Sequence, residues 1–221
     1  MDGTPITHLF TDLGGVLLTN GWDKSLRHRT ADHFGIDSAE MDERHHLTYD
    51  TYESGKMGLA TYLDRIVFYE PRGFTCAEVI EYILGQARAF PEMIDLVCRL
   101  KARHGLKVAV VSNEGRELTA DRIRRFRLDQ FVDFFIVSCY VHFRKPDEDI
   151  WKVALDIAQA DPRQVVYLED RPMFVEVAAS LGMHAIWHSG YESTRDRLAA
   201  LGLTLDGRPA EAAATGSFAA P

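Results

Sequence analysis

Four polar signatures in this chain come at the ends of short apolar segments or in the loops just after them: Asp12, Ser112-Asn113, Lys145 and Glu169-Asp170. One carboxylate can attack phosphorus, and a second can help to hold a divalent cation such as Mg²⁺. A lysine can offset the negative charge, while a hydroxyl and backbone amides can bind phosphoryl oxygens. The residue types therefore predict a site for phosphoryl transfer, provided that the fold brings them together.

The first signature is an aspartate between apolar residues, followed by two glycines, in the stretch FTDLGGVLL. A buried carboxylate is costly unless the strand stops there and the carboxylate faces a polar pocket. Gly14 and Gly15 allow the backbone to approach a ligand closely with its amides free to donate. We therefore predict that Asp12 is a nucleophile at the end of a central strand, with the backbone of Leu13 and Gly14 beside the phosphate.

The elements that must position these residues alternate regularly from residue 90 onward. Apolar strand-like segments cover 6–11, 107–111, 134–138, 164–168 and 184–187, and helical patterns separate them. This alternation predicts an α/β fold, with a Rossmann-like parallel sheet and helices on both faces. Ligands of such sheets bind outside the carboxyl ends of the strands, where all four signatures fall.

Residues 21–89 have a different pattern, with helical periodicity and no convincing strand. We predict a small all-helical cap of about four helices, inserted after the first strand. The domains are then a core of residues 1–20 and 90–205 and a cap of residues 21–89. The Ala-, Gly- and Pro-rich residues 206–221 are predicted to be a disordered tail.

The composition narrows the classes of partner. The net charge of -8 argues against a nucleic-acid surface, and no apolar run is long enough to cross a bilayer. The first residues lack the features of a secretory signal, and the three cysteines are scattered, so we expect a cytoplasmic protein with reduced thiols. The expected partner is a small phosphorylated substrate, and the sequence gives no prediction of oligomeric state.

The order and spacing of the signatures resemble those of the haloacid dehalogenase (HAD) superfamily, in a phosphatase-like subgroup with a helical cap. Four segments carry the resemblance: Phe10–Leu17, Val110–Asn113, Arg144–Asp147 and Val165–Pro172. Each segment alone is a weak signal, whereas their order and their positions at strand ends are specific. The resemblance implies Mg²⁺-dependent hydrolysis of a phosphomonoester of a small metabolite, such as a sugar phosphate, through an aspartyl-phosphate intermediate.

Carried over by position, the resemblance implies a role for each residue. Asp12 is the nucleophile, Lys145 stabilises charge, and Ser112 with Asn113 binds the phosphoryl group. Asp170, Asp12 and the backbone carbonyl of Gly14 are the implied metal ligands.

This sequence departs from the pattern at Gly14, where most phosphatases of the family carry a second aspartate that serves as acid and base. Losing such a group costs a factor of about 10²–10⁴ in rate. Activated esters such as sugar 1-phosphates need less help, and a mutase is disfavoured. Glu114 and His142 are candidate substitutes, although an acid at a helix start and an ordinary loop histidine are the simpler interpretations. Some relatives carry a further carboxylate at the position of Phe174. Glu169 is a candidate to take over part of its role by supporting the metal site indirectly.

Two other functions remain open. Because Gly14 replaces the residue that serves as acid and base, the chain could be a catalytically impaired domain that binds a phosphorylated ligand or a protein partner. Haloacid dehalogenation uses the same scaffold, but those relatives generally carry an aromatic residue at the position of Gly14 and need no metal.

Other polar residues have simpler structural interpretations. Those at strand ends could cap turns and helices, and Lys145 could be a solvated loop residue. We predict a solvated surface for His45 and His46 and packing roles for Asn20, Trp22 and Tyr52. The arginines of one predicted helix are expected to form a solvated face: Arg122, Arg124, Arg125 and Arg127.

Overall fold

The computed structural model describes residues 4–205, so the predicted tail of residues 206–221 lies outside the described residues. The strands are β1 (His8–Thr11), β2 (Lys107–Ser112), β3 (Phe134–Val137), β4 (Val165–Glu169) and β5 (His184–Trp187). The helices are α1 (Lys24–Phe34), α2 (Ser38–Glu53), α3 (Leu59–Ile66), α4 (Cys76–Gly85), α5 (Pro91–His104), α6 (Arg116–Arg125), α7 (Ser138–Val141), α8 (Asp149–Ala158), α9 (Pro172–Ser180) and α10 (Tyr191–Ala200), with short 3-10 helices at Leu128–Gln130 and Pro162–Gln164. Among residues 4–205, no helix combines the length and the apolar character needed to cross a bilayer.

All strand pairings are parallel, and the strand order is β3-β2-β1-β4-β5. Strand β1 is central, with Thr11 opposite Val110 on one side and Leu168 on the other. The carboxyl ends of β1, β2 and β4 therefore meet at one edge of the sheet, as the sequence predicts.

Apolar side chains on both faces of the strands explain why helices cover the sheet on both sides. One face packs against α5 and α10 through residues such as Leu96 and Leu198. The other face packs against α8 and α9 through residues such as Trp151 and Ala178. The predicted α/β class with a Rossmann-like sheet is confirmed.

Helices α1 to α4 form the helical insertion, which has an apolar core of its own. Its helices begin at local capping residues, since Asp23 accepts from the Leu26 N–H at 2.7 Å and Thr75 forms a capping box with Glu78. The chain leaves and re-enters the core along two short paired segments, where the Thr19 N–H donates to the Arg88 carbonyl at 2.9 Å. The prediction of an all-helical insertion after the first strand is confirmed.

The structure differs from the sequence prediction at the end of β3. The strand predicted over 134–138 ends at Val137, and α7 starts directly at Ser138. The Ser138 hydroxyl donates to the Glu53 carbonyl at 2.7 Å and accepts from the Glu114 N–H at 3.0 Å. These contacts with distant segments fix the turn, and they leave no local signal in the sequence.

Candidate active site

Asp12 lies immediately beyond β1, at the sheet edge. Its N–H continues the strand pairing by donating to the Leu168 carbonyl at 2.8 Å, and its Oδ1 accepts from the Leu13 N–H at 2.7 Å. Burial raises the pKa of the Asp12 carboxyl, while nearby Lys145 and the Ser112 hydroxyl act in the opposite direction. The aspartate is thus held in one orientation beside a cation, facing the cleft that it lines.

Lys145 is almost completely buried between two carboxylates. Its Nζ lies 3.2 Å from Asp12 Oδ1 and 2.6 Å from Glu169 Oε2. The Tyr167 hydroxyl also donates to Glu169 Oε2, at 2.5 Å. Burial disfavours the charged lysine, but the two carboxylates outweigh burial and raise the pKa of Lys145, so it remains an ammonium.

Asn113 fixes the loop that presents this lysine. Its Nδ2 donates to the Lys145 carbonyl and its Oδ1 accepts from the Lys145 N–H, both at 2.8 Å. The side chain therefore positions Lys145, and it keeps one amide hydrogen for the phosphate contact that the sequence predicts. Ser112 ends β2 on the same edge, is buried, and lines the cleft together with Asp12.

The side chains at this edge fit a divalent cation. Asp12, Glu169 and Asp170 each place one carboxylate oxygen within 4.8 Å of the others. Among the contacts of residues 4–205, the buried Oδ1 of Asp170 has no hydrogen-bond partner. Glu169 is already engaged, because its Oε2 holds Lys145 and its Oε1 accepts from the Arg171 N–H at 3.1 Å. Asp12 and Asp170 are therefore the better candidates for ligands, and carboxylate oxygens are what Mg²⁺ prefers.

Two glycines shape the loop after Asp12. Gly15 has a φ of +75°, and a Cβ atom there would lie 2.2 Å from Asp170 Oδ2. A Cβ on Gly14 would lie 2.8 Å from Asn20 Oδ1. The space that a side chain at position 14 would enter is thus occupied by an amide, which cannot serve as an acid.

Glu114 and Arg122 form a buried ion pair, with 2.9 Å between Glu114 Oε1 and Arg122 Nη1. Arg122 Nη2 also donates to the Thr19 carbonyl at 2.8 Å. The prediction of a solvated face was wrong for Arg122, because α6 packs this side chain inward with Leu118 and Thr119. Glu114 lies just before the start of α6, as the simpler interpretation has it, but its side chain is buried. It lines the cleft, and burial raises its pKa to about 7 against the opposing effect of Arg122.

The other candidate substitute, His142, is not among the residues that line the cleft in the described part of the chain. Its Nδ1 lies 2.7 Å from the Ser54 carbonyl, which ties it to the end of α2. The structure thus brings Glu114, but not His142, to the same cavity as Asp12.

The helical insertion contributes the facing wall of the cleft, including Trp22, His45 and Tyr49. Trp22 Nε1 donates to the Tyr62 hydroxyl at 2.7 Å, and this hydroxyl lies 2.6 Å from His45 Nδ1. Since Trp22 can only donate, Tyr62 can give its hydrogen to His45 Nδ1, which places the imidazole proton on Nε2. Burial lowers the pKa of His45 to about 4, so the solvated surface predicted for this residue was wrong.

The cleft has a volume of about 280 Å³ and is lined mainly by polar and charged side chains from the sheet edge and the insertion. Phe174 lies within this lining, with its ring centroid 5.2 Å from Lys145 Nζ. A cavity of this size and polarity suits a small charged ligand.

A sequence profile of the haloacid dehalogenase-like hydrolase family matches residues 6–182. The chain therefore belongs to the haloacid dehalogenase-like hydrolase family. The match spans the helical insertion and all four strand-end signatures, so the site described above lies wholly within the family region.

Individual relatives are distant. The chain is 29% identical over 120 residues to bifunctional epoxide hydrolase 2 of Sus scrofa, a match of 52% of this chain and 21% of that protein. It is 29% identical over 82 residues to a phosphorylated carbohydrates phosphatase of Thermotoga maritima, covering 37% of this chain and 38% of the relative. The chain spans about a fifth of the epoxide hydrolase's length.

Solved structures show the same fold. A HAD family enzyme from Bacteroides thetaiotaomicron, in complex with magnesium and inorganic phosphate, superposes with a TM-score of 0.70 at 20% identity. The superposition covers 82% of this chain and 93% of that enzyme.

Proposed function

We propose that this chain hydrolyses phosphate monoesters of small metabolites, with Asp12 as the nucleophile and Mg²⁺ as the cofactor. One observation carries the proposal: at a single sheet edge, a carboxylate lies beside a buried ammonium and near the carboxylate of Asp170, whose Oδ1 has no hydrogen-bond partner among residues 4–205. The names of two relatives support the same chemistry, since one acts on phosphorylated carbohydrates and a solved enzyme holds magnesium and phosphate.

In the proposed reaction, the Asp12 carboxylate attacks phosphorus and the bond to the substrate oxygen breaks. Lys145 favours the ionised form of Asp12 and offsets the charge that accumulates between nucleophile and phosphate. The Ser112 hydroxyl, the remaining amide hydrogen of Asn113 and the backbone of Leu13 and Gly14 would bind the phosphoryl oxygens. Water then releases phosphate from Asp12.

The Asp12 and Asp170 carboxylates, with the Gly14 carbonyl, are the proposed ligands of Mg²⁺. When bound, the cation would neutralise charge on the phosphate and hold it against the nucleophile. Glu169 supports the site indirectly. Its Oε2 lies 2.6 Å from Lys145 Nζ and so holds the lysine beside Asp12.

A panel of phosphorylated metabolites, assayed with Mg²⁺ and with a chelator, tests this proposal. We expect phosphate release that requires Mg²⁺ and is abolished by Asp12→Asn, which removes the nucleophile with little change in shape. Asp147→Asn, at an exposed position of the loop after Lys145, is the matched control and should leave turnover unchanged. Phosphate release that persists in Asp12→Asn would contradict the assignment of the nucleophile.

The same panel separates the alternatives. Halide release from a haloacid without added metal would indicate a dehalogenase. Saturable binding of a phosphorylated ligand without any turnover would indicate a binding domain. The acidic cluster at the sheet edge favours the phosphatase over both, since neither alternative requires a cation beside Asp12.

A further inference from the structure

The proposed reaction leaves one step without a group: the proton that the departing substrate oxygen needs. Gly14 supplies no side chain, and its neighbour Asn20 supplies only an amide. The buried carboxyl of Glu114 lines the same cleft as Asp12 and has no role in the chemistry described so far.

The segment of Asn20 and Gly21 lies between position 14 and Glu114. A Cβ on Gly14 would meet Asn20 Oδ1 at 2.8 Å, and a Cβ on Gly21, the residue after Asn20, would meet Glu114 Oε1 at 2.4 Å. Gly14, Asn20, Gly21 and Glu114 all line the cleft that Asp12 lines. The Glu114 carboxyl thus reaches this cleft from a different element, beside the segment that contacts position 14.

The two oxygens of the Glu114 carboxyl have different partners. Oε1 forms the ion pair with Arg122 Nη1, and Arg122 Nη2 donates to the Thr19 carbonyl. Oε2 lies 3.3 Å from the Thr119 hydroxyl, which also lies 3.0 Å from the Gly115 carbonyl. A hydroxyl has one hydrogen to donate, and the carbonyl contact is the shorter one. When the carboxyl is neutral, Oε2 can therefore carry its proton.

We propose that Glu114 is the general acid and then the general base of this reaction, an inference that rests on the function proposed above. As Asp12 attacks phosphorus, the bond to the leaving oxygen breaks, and protonated Glu114 gives its proton to that oxygen to release the alcohol. In the second step, water attacks phosphorus, its proton passes to the Glu114 carboxylate, and the bond to Asp12 breaks. Phosphate leaves, and both carboxyl groups return to their starting states.

Two further observations agree with this role. Burial raises the pKa of Glu114 to about 7, where an acid can both give and take a proton near neutral pH. A second cavity of about 70 Å³ adjoins Glu114 and is also lined by Tyr52 and Asn113. The buried Tyr52 hydroxyl has no hydrogen-bond partner among the described residues, and a polar cavity of this volume has room for water.

Glu114→Gln tests the proposal, because glutamine keeps the shape and can still accept from Arg122 but cannot exchange a proton at neutral pH. With an alkyl phosphate, whose leaving oxygen needs a proton, we expect turnover to fall about 10²–10⁴-fold. With an aryl phosphate that leaves as a stable anion, we expect the first turnover to be little changed and the steady state to slow, because water attack has lost its base. The limb of the wild-type pH profile near neutrality should disappear in the variant.

Glu117→Gln is the matched control, since Glu117 lies on the exposed side of α6, where its Oε1 accepts from the Leu59 N–H at 3.0 Å. A restoring variant adds a second test: Gly14→Asp with Asn20→Ala should recover alkyl phosphate turnover in the Glu114→Gln background, because the alanine clears the space at position 14. If a variant does not fold, the pH profile of the wild-type protein still tests the proposal.

Equal losses of first-turnover rate for alkyl and aryl phosphates, together with a lowered melting temperature, would overturn the proposal and make Glu114 a structural partner of Arg122. Unchanged turnover of both esters would overturn it as well. Failure of the function proposed above is distinguishable, because the wild-type protein would then release no phosphate from either ester.

Discussion

The two walls of the cleft are built in different ways. The sheet-edge wall (Asp12, Ser112, Lys145) takes each residue from the end of a strand or from a loop that follows one, and Glu169 and Asp170 lie beside it at the end of β4. The insertion wall (Trp22, His45, Tyr49) takes its residues from α2 and from the segment before α1. On the first wall, buried ionised groups face each other, whereas on the second a neutral hydrogen-bond chain runs through Tyr62.

The difference lies in how the polar groups of each wall are held. Parallel strands align their carboxyl ends, so one sheet edge can bring together a nucleophile, an ammonium and two further carboxylates. On the insertion wall, Trp22 and His45 are held by hydrogen bonds to the Tyr62 hydroxyl on α3. We therefore expect substitutions in the sheet-edge wall to affect turnover and stability most, and substitutions in the insertion wall to have smaller effects.

The largest effect is expected from Lys145→Met. Asp12 and Glu169 would then be buried together without their cation, so turnover should fall about 10³-fold and the free energy of unfolding by about 3–5 kcal/mol. Urea unfolding measures the second quantity. Lys101→Met is the control, because that lysine pairs with Asp133 near the surface at 2.6 Å and should cost about 1 kcal/mol or less. Similar losses for both lysines would contradict the contrast between a buried and an exposed pair.

A smaller effect, on the Mg²⁺ requirement alone, is expected from Gly15→Ala. The added Cβ would lie 2.2 Å from Asp170 Oδ2, so the carboxylate must move. We expect the Mg²⁺ concentration for half-maximal activity to rise about 10–100-fold. Gly105→Ala controls for backbone strain, since its φ of +66° is similar and nothing lies within 4 Å of the added atom. A change in Mg²⁺ affinity of the same size in both variants would show that Asp170 does not need this close approach.

The smallest effect concerns the insertion wall and depends on pH. The pKa of His45 is lowered from 6.5 to about 4, so between these values the unfolded chain binds a proton that the folded chain does not. Stability contributed by neutral His45 should therefore be lost as the pH falls from 6.5 toward 4. Melting temperatures of the wild type and His45→Gln should converge over this range, whereas His46→Gln, at the exposed neighbouring position, should follow the wild type in parallel. Parallel curves for all three proteins would contradict a partly buried His45 that stays neutral in the folded protein.

The sheet-edge wall could be predicted because its signals are local. An apolar run that stops at a polar residue marks a strand end, and the alternation with helices places these ends on one edge. These signals predict Asp12 at a strand end and Lys145 in a loop that follows a strand. The separation of 3.2 Å between Asp12 Oδ1 and Lys145 Nζ depends on tertiary contacts, such as those of Asn113 with the Lys145 backbone, which the sequence does not indicate.

The insertion wall and the Glu114–Arg122 pair could not be predicted to the same degree. Their burial depends on contacts between segments far apart in sequence, such as that of Arg122 with Thr19. A weak signal existed for Arg122, which shares a helical face with Leu118 and Thr119. His45 similarly follows the buried Met41 by one helical turn.

The most direct test of the central claim is to trap the phosphorylated enzyme. A single turnover of a substrate with a labelled phosphoryl group, with Mg²⁺ present, is stopped with acid and the protein is digested for mass spectrometry. We expect the label on the peptide that contains Asp12, no label in Asp12→Asn, and a longer-lived label in Glu114→Gln. Substrate hydrolysis by the wild-type protein with no covalent label on Asp12 at any time during the turnover would contradict a phosphoryl transfer through this aspartate.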